Sequence, residues 1–181
     1  MENQTNSYVE NLLKYHCPRW EELPELELYI DQVTTFLRTH LQLFYPESKS
    51  PFLTASMINN YVKQGILDRP VKKKYNRSHL AHLFVICVMK RLFSISDIGE
   101  SLENMKKMYA IPEGYNLFCE ELESALQRTF GARPFPPSIA SQTDSRSTVA
   151  LKAVTQAFSS VVLAEHLIFL RQEEQSENSK K

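Results

Sequence analysis

The chain is expected to be mainly helical with a short β-wing, and three features of its 181 residues point there. Glycine occurs only four times, whereas β-rich folds use glycine freely in their turns. Apolar residues recur at helical spacing through most of the chain. The stretch from Asp68 to Tyr75 is too short and too basic for a core element, so a small β-wing or extended turn fits it better. A hydrophobic content of 43% and a charged content of 23% are ordinary for a globular protein. The length allows one domain with an extension, or two small ones.

Each element follows from local signals. Residues 2–16 read as a short amphipathic helix with Tyr8, Val9, Leu12, Leu13 and Tyr15 on its apolar side, ended by Pro18. Pro24 opens a second helix to about Tyr45, since proline suits a first turn. Its apolar positions are Leu26, Tyr29, Ile30, Val33, Phe36, Leu37, Leu41 and Phe44, with Glu25, Glu27 and Asp31 at the dipole's positive end. PESKSP is a loop. Thr54 or Ser56 caps a third helix that places Met57, Ile58, Tyr61 and Val62 on one side and Asn59, Asn60, Lys63 and Gln64 on the other. Gly65 ends it.

Asn76 caps a fourth helix through about Phe93, apolar on most of its circumference and therefore expected at the centre of the core. Ser94 and Asp97 form a capping-box-like start for a fifth helix ending near Tyr109. Pro112 begins a sixth helix through Phe130. A Pro/Ser-rich linker follows, then a last helix from about Ser147 to Arg171 and a polar tail. The expected organisation is an N-terminal segment (1–23), a helical domain (24–130), a linker (131–146), a C-terminal helix available for dimerisation (147–172) and a disordered tail (173–181).

Several function classes are disfavoured. No apolar run is read as approaching the ~20 residues that span a bilayer. The polar start MENQTNSYVEN lacks the basic and apolar zones of a signal peptide, so a cytoplasmic location and no membrane partner are expected. Cys17, Cys87 and Cys119 follow neither a disulfide framework nor a zinc spacing, and Cys87 reads as a core residue. His79 and His82 read as ordinary surface or boundary residues, with no further ligands for a metal. Without a Gly-rich phosphate loop, an HExxH helix or a nucleophile–base pair, no enzymatic activity, cofactor or metal is expected.

The formal net charge of zero hides a basic centre. From Lys63 to Arg91 eight bases face one acid, Asp68, a net +7, while residues 1–50 and 95–130 each carry −4. A local cationic surface is what nucleic-acid binding requires, whatever the total charge. Asparagine can bond an adenine edge through both amide groups, and lysine reaches guanine or phosphate. Asn59, Asn60 and Lys63 are therefore the candidates for base edges. Lys72, Lys74 and Arg77 are candidates for phosphates, with Tyr61 at the backbone boundary. In an extended wing Lys72 and Lys74 would share a face while Lys73 points away. Tyr75 reads as a core plug at the base of the wing.

The run MINNYVKQGIL resembles the second helix of mercury-resistance-regulator (MerR) type winged helix-turn-helix proteins, whose pattern is T-L-R-Y-Y-E-x-x-G-L-L. Matching Gly65 to that glycine places Tyr61 on the second tyrosine, Ile58 on the leucine and Asn59 on the arginine. KKKYNRSHLAHL resembles the wing and following helix, and FSISDIGESL resembles F-S-L-x-E-I-x-x-L. The likeness covers about 45 residues within 53–98. A long helix and PESKSP stand where that family has a tight turn, and the wing is shorter and lacks its glycine.

The chain as a whole resembles a bacterial domain-of-unknown-function family, number eighteen thirty-six, through LTASMINNYVK followed by KKKY. That resemblance implies a DNA-binding regulator. The expected fold is thus an all-α protein with a MerR-like winged helix-turn-helix core and additional helices. Its expected partner is double-stranded DNA, bound as a homodimer, with no small-molecule effector assigned. The alternative is a protein-interaction adaptor whose basic surface meets an acidic partner.

Overall fold

The computed structural model describes residues 2–45, 52–131 and 145–178. Within them the chain runs α1 (Glu2–Leu13), β1 (Leu28–Tyr29), α2 (Ile30–Leu41), α3 (Ala55–Lys63), β2 (Lys74–Tyr75), α4 (Arg77–Met89), α5 (Ile95–Met108), α6 (Ile111–Phe130) and α7 (Arg146–Asn178). The fold is mainly helical, and β1 and β2 pair antiparallel with Leu28 opposite Tyr75 and Tyr29 opposite Lys74.

The uniform apolarity of α4 predicts a central helix, and α4 contacts α2, α5, α6, α7 and β2. Ten of its thirteen residues are buried, so no polar face is left to turn outward. His79 and His82 are among them, which corrects their reading as surface or boundary residues. A helix surrounded on all sides buries whatever occupies it. His79 also works locally, because the Asn76 amide donates to its Nδ1 at 3.1 Å while Asn76 Oδ1 accepts from the His79 amide at 3.2 Å. This reciprocal cap satisfies two donors that a helix start leaves free. Cys87 is fully buried, and Cys17 and Cys119 are buried free thiols.

The second helix starts later than Pro24 suggests. The chain from Pro24 to Tyr29 stays out of the helix, and α2 begins at Ile30. Pairing with β2 uses the Leu28–Tyr29 backbone, and Gln32 Oε1 accepts from the Tyr29 amide at 2.9 Å, which fixes the helix start there. Leu26, expected on the apolar side of the helix, is 81% exposed as a result. From Ile30 onward the reading holds, with Val33, Leu37 and Leu41 in the core and a short 3-10 turn carrying Phe44.

The core reaches across the expected boundaries. Leu12, Cys17 and Leu23 of the N-terminal segment join it, as do Leu151, Phe158 and Val162 of α7. Arg19 donates from two nitrogens to the two oxygens of Glu123 on α6 at 2.8 and 2.6 Å, and the Cys17 amide donates to the same carboxylate at 2.8 Å. Burial alone would raise the Glu123 pKa, but Arg19 and the Cys17 amide hold it below the usual carboxylate range. On the far side, Ser159 Oγ donates to the Ala125 carbonyl of α6, and Phe158 meets Phe44 edge-on at 5.2 Å.

Two further corrections concern α7. Its stretch Arg146–Ile168 is long and apolar enough to cross a membrane by length and composition, contrary to the reading of the apolar runs. Its buried residues, however, pack against α6 and Phe44, and Glu165 pairs with Arg91 of the chain beyond α4. The helix also continues to Asn178, through residues expected to be disordered. Glutamate and glutamine are good helix formers, and no glycine or proline intervenes to stop it. Residues 179–181, the PESKSP loop and most of the Pro/Ser linker, 132–144, lie outside the described residues.

At the end of α3 the Ile66 amide donates to the Tyr61 carbonyl at 3.0 Å and the Gly65 amide to Val62 at 3.2 Å, with Gly65 at φ +74°. This is a Schellman cap, which needs one left-handed residue. A Cβ at Gly65 would meet nothing within 4 Å, so the cost of alanine there is backbone strain alone. Gly65→Ala is expected to lower stability by about 1 kcal/mol in denaturant titration. A neutral result would show that the cap can relax.

Candidate nucleic-acid interface

The helix α3 is short because its signals close it at both ends. Thr54 Oγ1 accepts from the Met57 amide at 3.2 Å, and Gly65 stops it after Lys63. Ile58 and Tyr61 anchor one side in the core, leaving Asn59, Asn60 and Lys63 exposed on the other. Lys63 lies in the last turn, where the helix dipole favours a cation. Tyr61 is 4% exposed, and burial pushes its hydroxyl up to about 12. That corrects its placement at the DNA backbone boundary: the ring holds α3 to the core.

The wing is a hairpin of the smallest kind. Val71 and Lys74 bridge antiparallel, the Lys74 amide donates to the Val71 carbonyl at 2.9 Å, and Lys72 and Lys73 form the corner. Both corner residues lie at positive φ, +49° and +64°, the pattern of a type I′ turn. Strand alternation therefore does not sort these lysines, and the pairing of Lys72 with Lys74 on one face is replaced by Lys72 and Lys73 together at an exposed tip. Tyr75 plugs the core below them, as expected, and its ring meets His79 edge-on at 5.4 Å. A left-handed lysine costs about 1 kcal/mol relative to glycine or asparagine, so this turn holds two cations at an unfavourable corner.

Two aromatic residues that the sequence patterns did not link to this surface, Tyr29 and Trp20, support the remaining cations. Lys74 Nζ lies 5.7 Å from the centre of the Tyr29 ring across the β1–β2 pair. The Arg77 guanidinium lies 5.7 Å from the centre of the Trp20 ring, and Arg77 Nε is buried without a hydrogen-bond partner among the described residues. Arg77 is also the first residue of α4, so its charge adds to the positive end of that helix dipole. The basic centre is smaller than the sequence count. Arg91 is committed to the Phe44 carbonyl and Glu165, and Lys90 lies against Tyr45 and Phe52, with burial lowering its pKa. Both sit at the opposite end of α4 from Arg77, roughly 20 Å away at 1.5 Å per residue.

What remains is Lys63, Arg69, Lys72, Lys73, Lys74 and Arg77 around the single acid Asp68. No ion pair among the described residues uses any of these six cations. Lys72, Lys73, Lys74 and Arg77 share the turn and the start of α4. Lys63 stands on α3 beside Asn59 and Asn60, and Arg69 lies on the chain between. Among the described residues no hydrogen bond or ring contact joins the three on α3 to the turn. His-, Cys-, Asp- and Glu-rich clusters able to hold a metal ion are absent among the described residues.

No curated protein and no solved structure matches the chain. A family model does match, over residues 18–118, a span that holds α2 to α5, both strands and every cation of the candidate surface. The chain belongs to the family described as Domain of unknown function (DUF1836).

Proposed function

We propose that this protein is a sequence-specific double-stranded DNA-binding transcription regulator with a MerR-like winged helix-turn-helix core, non-enzymatic and cytoplasmic. The observation that carries the reading is the pair Lys72 and Lys73, held left-handed at an exposed tip with no acid partner among the described residues. A turn that only reversed the chain would be better served by asparagine and glycine. In this reading Lys72, Lys73, Lys74 and Arg77 hold phosphates, and α3 presents Asn59, Asn60 and Lys63 to base edges. Binding to duplex DNA should weaken steeply with salt, because neutralising phosphates releases counterions.

Base reading is tested at α3. Asn59→Ala or Asn60→Ala should relax preference at defined positions in fragments selected from the host genome. Removing one bidentate pair of hydrogen bonds is expected to cost roughly 1–3 kcal/mol at the selected site and almost nothing on random duplex. Equal effects on both would mean that the asparagines only position the backbone.

A nine-residue helix reads few base pairs, so a two-fold dimer is proposed, with half-sites spaced by about one helical turn. Leu151, Phe158 and Val162 of α7 join the domain's own core, and Leu167 and Ile168, 55% and 58% exposed, are proposed for a seam. One observation favours an adaptor as second reading. Val71, Tyr29 and Leu26 are exposed on the paired strands and the segments beside them, and apolar groups beside cations suit an acidic peptide as well as DNA. An acidic peptide that binds at high salt while duplex DNA does not would favour that reading.

A further inference from the structure

A cleft of about 230 Å³ opens between α4, α5, α6 and the first turns of α7, away from the basic turn. Its walls are apolar: Val85 and Met89 come from α4, Phe118 from α6, and Leu151 and Val154 from α7. Exposed Asn104, Ala110 and Ala150 line it as well and mark its way in from solvent. One polar group stands out on the wall. His82 is only 6% exposed and makes no hydrogen bond with any described residue. Tyr115 also contributes to the wall, with its hydroxyl beside Cys119, a residue that does not line the cleft.

We infer that this cleft is a binding site for a small, uncharged, mostly apolar molecule carrying one hydroxyl or carbonyl group, which His82 hydrogen-bonds. The inference stands apart from the reading of the basic turn as a DNA surface. Three physical arguments fix the chemical class. Water needs two to four polar partners to be held well. The Ser101 and Ser147 hydroxyls on these walls already donate to the Asp97 carbonyl and Met108 Sδ, and Asn104 lies at the exposed rim. An apolar occupant therefore displaces water favourably beside His82. The cleft is about half as large again as the ~150 Å³ cavity that accepts benzene, which suits one ring plus a few further atoms, roughly ten in all. An anion is disfavoured because the one cation on the walls, Lys106, already holds Glu103 at 2.9 Å. A carboxylate brought in beside apolar walls and a neutral ring would give up its water without gaining a free cation.

The test uses the full chain with 1-naphthol as probe and 1-naphthoate as its anionic counterpart, each followed by titration calorimetry. Saturable binding of one 1-naphthol per chain is expected, at least about tenfold tighter than 1-naphthoate. His82→Leu should weaken 1-naphthol roughly tenfold, the factor expected for removal of one hydrogen bond. Because His82 is buried, Ala150→Phe is the second variant: position 150 is exposed, so the added ring closes the way in without disturbing the core. It should abolish binding while leaving the thermal transition in place. Absence of saturable 1-naphthol binding to the unaltered protein, or equal binding by Ala150→Phe, overturns the site. Tighter binding of 1-naphthoate overturns the ligand class, and undiminished binding by a folded His82→Leu overturns the role of that residue.

Discussion

Replacing Lys72 by Asn and Lys73 by Gly is expected to make the protein more stable and a poorer DNA binder at the same time. The two lysines occupy left-handed backbone at φ +49° and +64°. Asparagine tolerates that region and glycine has no Cβ to resist it, so the exchange should raise unfolding free energy by about 1–2 kcal/mol. The hairpin itself should persist, because its bridge and hydrogen bond lie between Val71 and Lys74. Removing two charged groups from the phosphates, at about 1 kcal/mol each, should weaken duplex binding roughly thirtyfold per protomer, equally for all sequences. The logarithmic salt slope should flatten by roughly 0.9 for each phosphate that is no longer neutralised. Lys72→Arg with Lys73→Arg keeps the charge and should keep the affinity. A stabilised variant with unchanged affinity and slope would remove the turn from the DNA surface, and a destabilised one would show that the lysines carry no backbone strain.

The opposed signs separate a functional turn from a structural one. A turn selected only to reverse the chain gains in stability on this exchange and gives up nothing else. One kept for its cations binds less well as the fold improves. Lys74 and Arg77 would not divide the two cases so cleanly, since each also leans on an aromatic ring, Tyr29 and Trp20 respectively, and its removal disturbs packing.

Some of this surface was legible in the sequence, and the rest was hidden for physical reasons. Caps are local, so Gly65, Asn76 and Ser94 could be read directly and Thr54 as one of two candidates with Ser56, and all four mark helix ends in the structure. The central place of α4 was equally legible, because a helix apolar all round has nowhere else to go. Non-local events were not legible. Nothing near Leu28 announces that its partner is Tyr75, 47 residues later, so the delayed start of α2 could not be foreseen. Likewise the lysine run gives no sign of its left-handed corner, since lysine has no preference for positive φ. The charge count overstated the basic centre because Arg91 and Lys90 are consumed by partners distant in sequence, Glu165 and Phe52. His82 was discounted for want of metal ligands, and only the assembled helices place it on the wall of a cleft.

Mild acid is expected to destabilise the fold before any carboxylate is protonated, and His82 should be the largest single cause. Burial, with Lys106 adding to it, drives the His82 pKa down to about 4. In the unfolded chain it titrates near 6.5. Below that value the unfolded state takes up a proton that the folded state refuses, so stability is complete above pH 6.5 and declines as pH falls toward 4. Between pH 7.5 and 5 this one group should remove on the order of 2 kcal/mol. His79 acts in the same direction. Burial lowers its pKa, and its ring shares the cap at the start of α4 with Asn76. Glu123 enters only at lower pH, as the solution passes below the ordinary carboxylate range and its protonation releases Arg19 and the Cys17 amide. Denaturant titrations at pH 7.5 and 5 should therefore show a marked drop in stability for the unaltered protein and a drop smaller by about 2 kcal/mol for His82→Leu. Equal drops in the two proteins would mean that His82 is not held neutral by the fold, and the histidine account of acid sensitivity would then rest on the α4 cap alone.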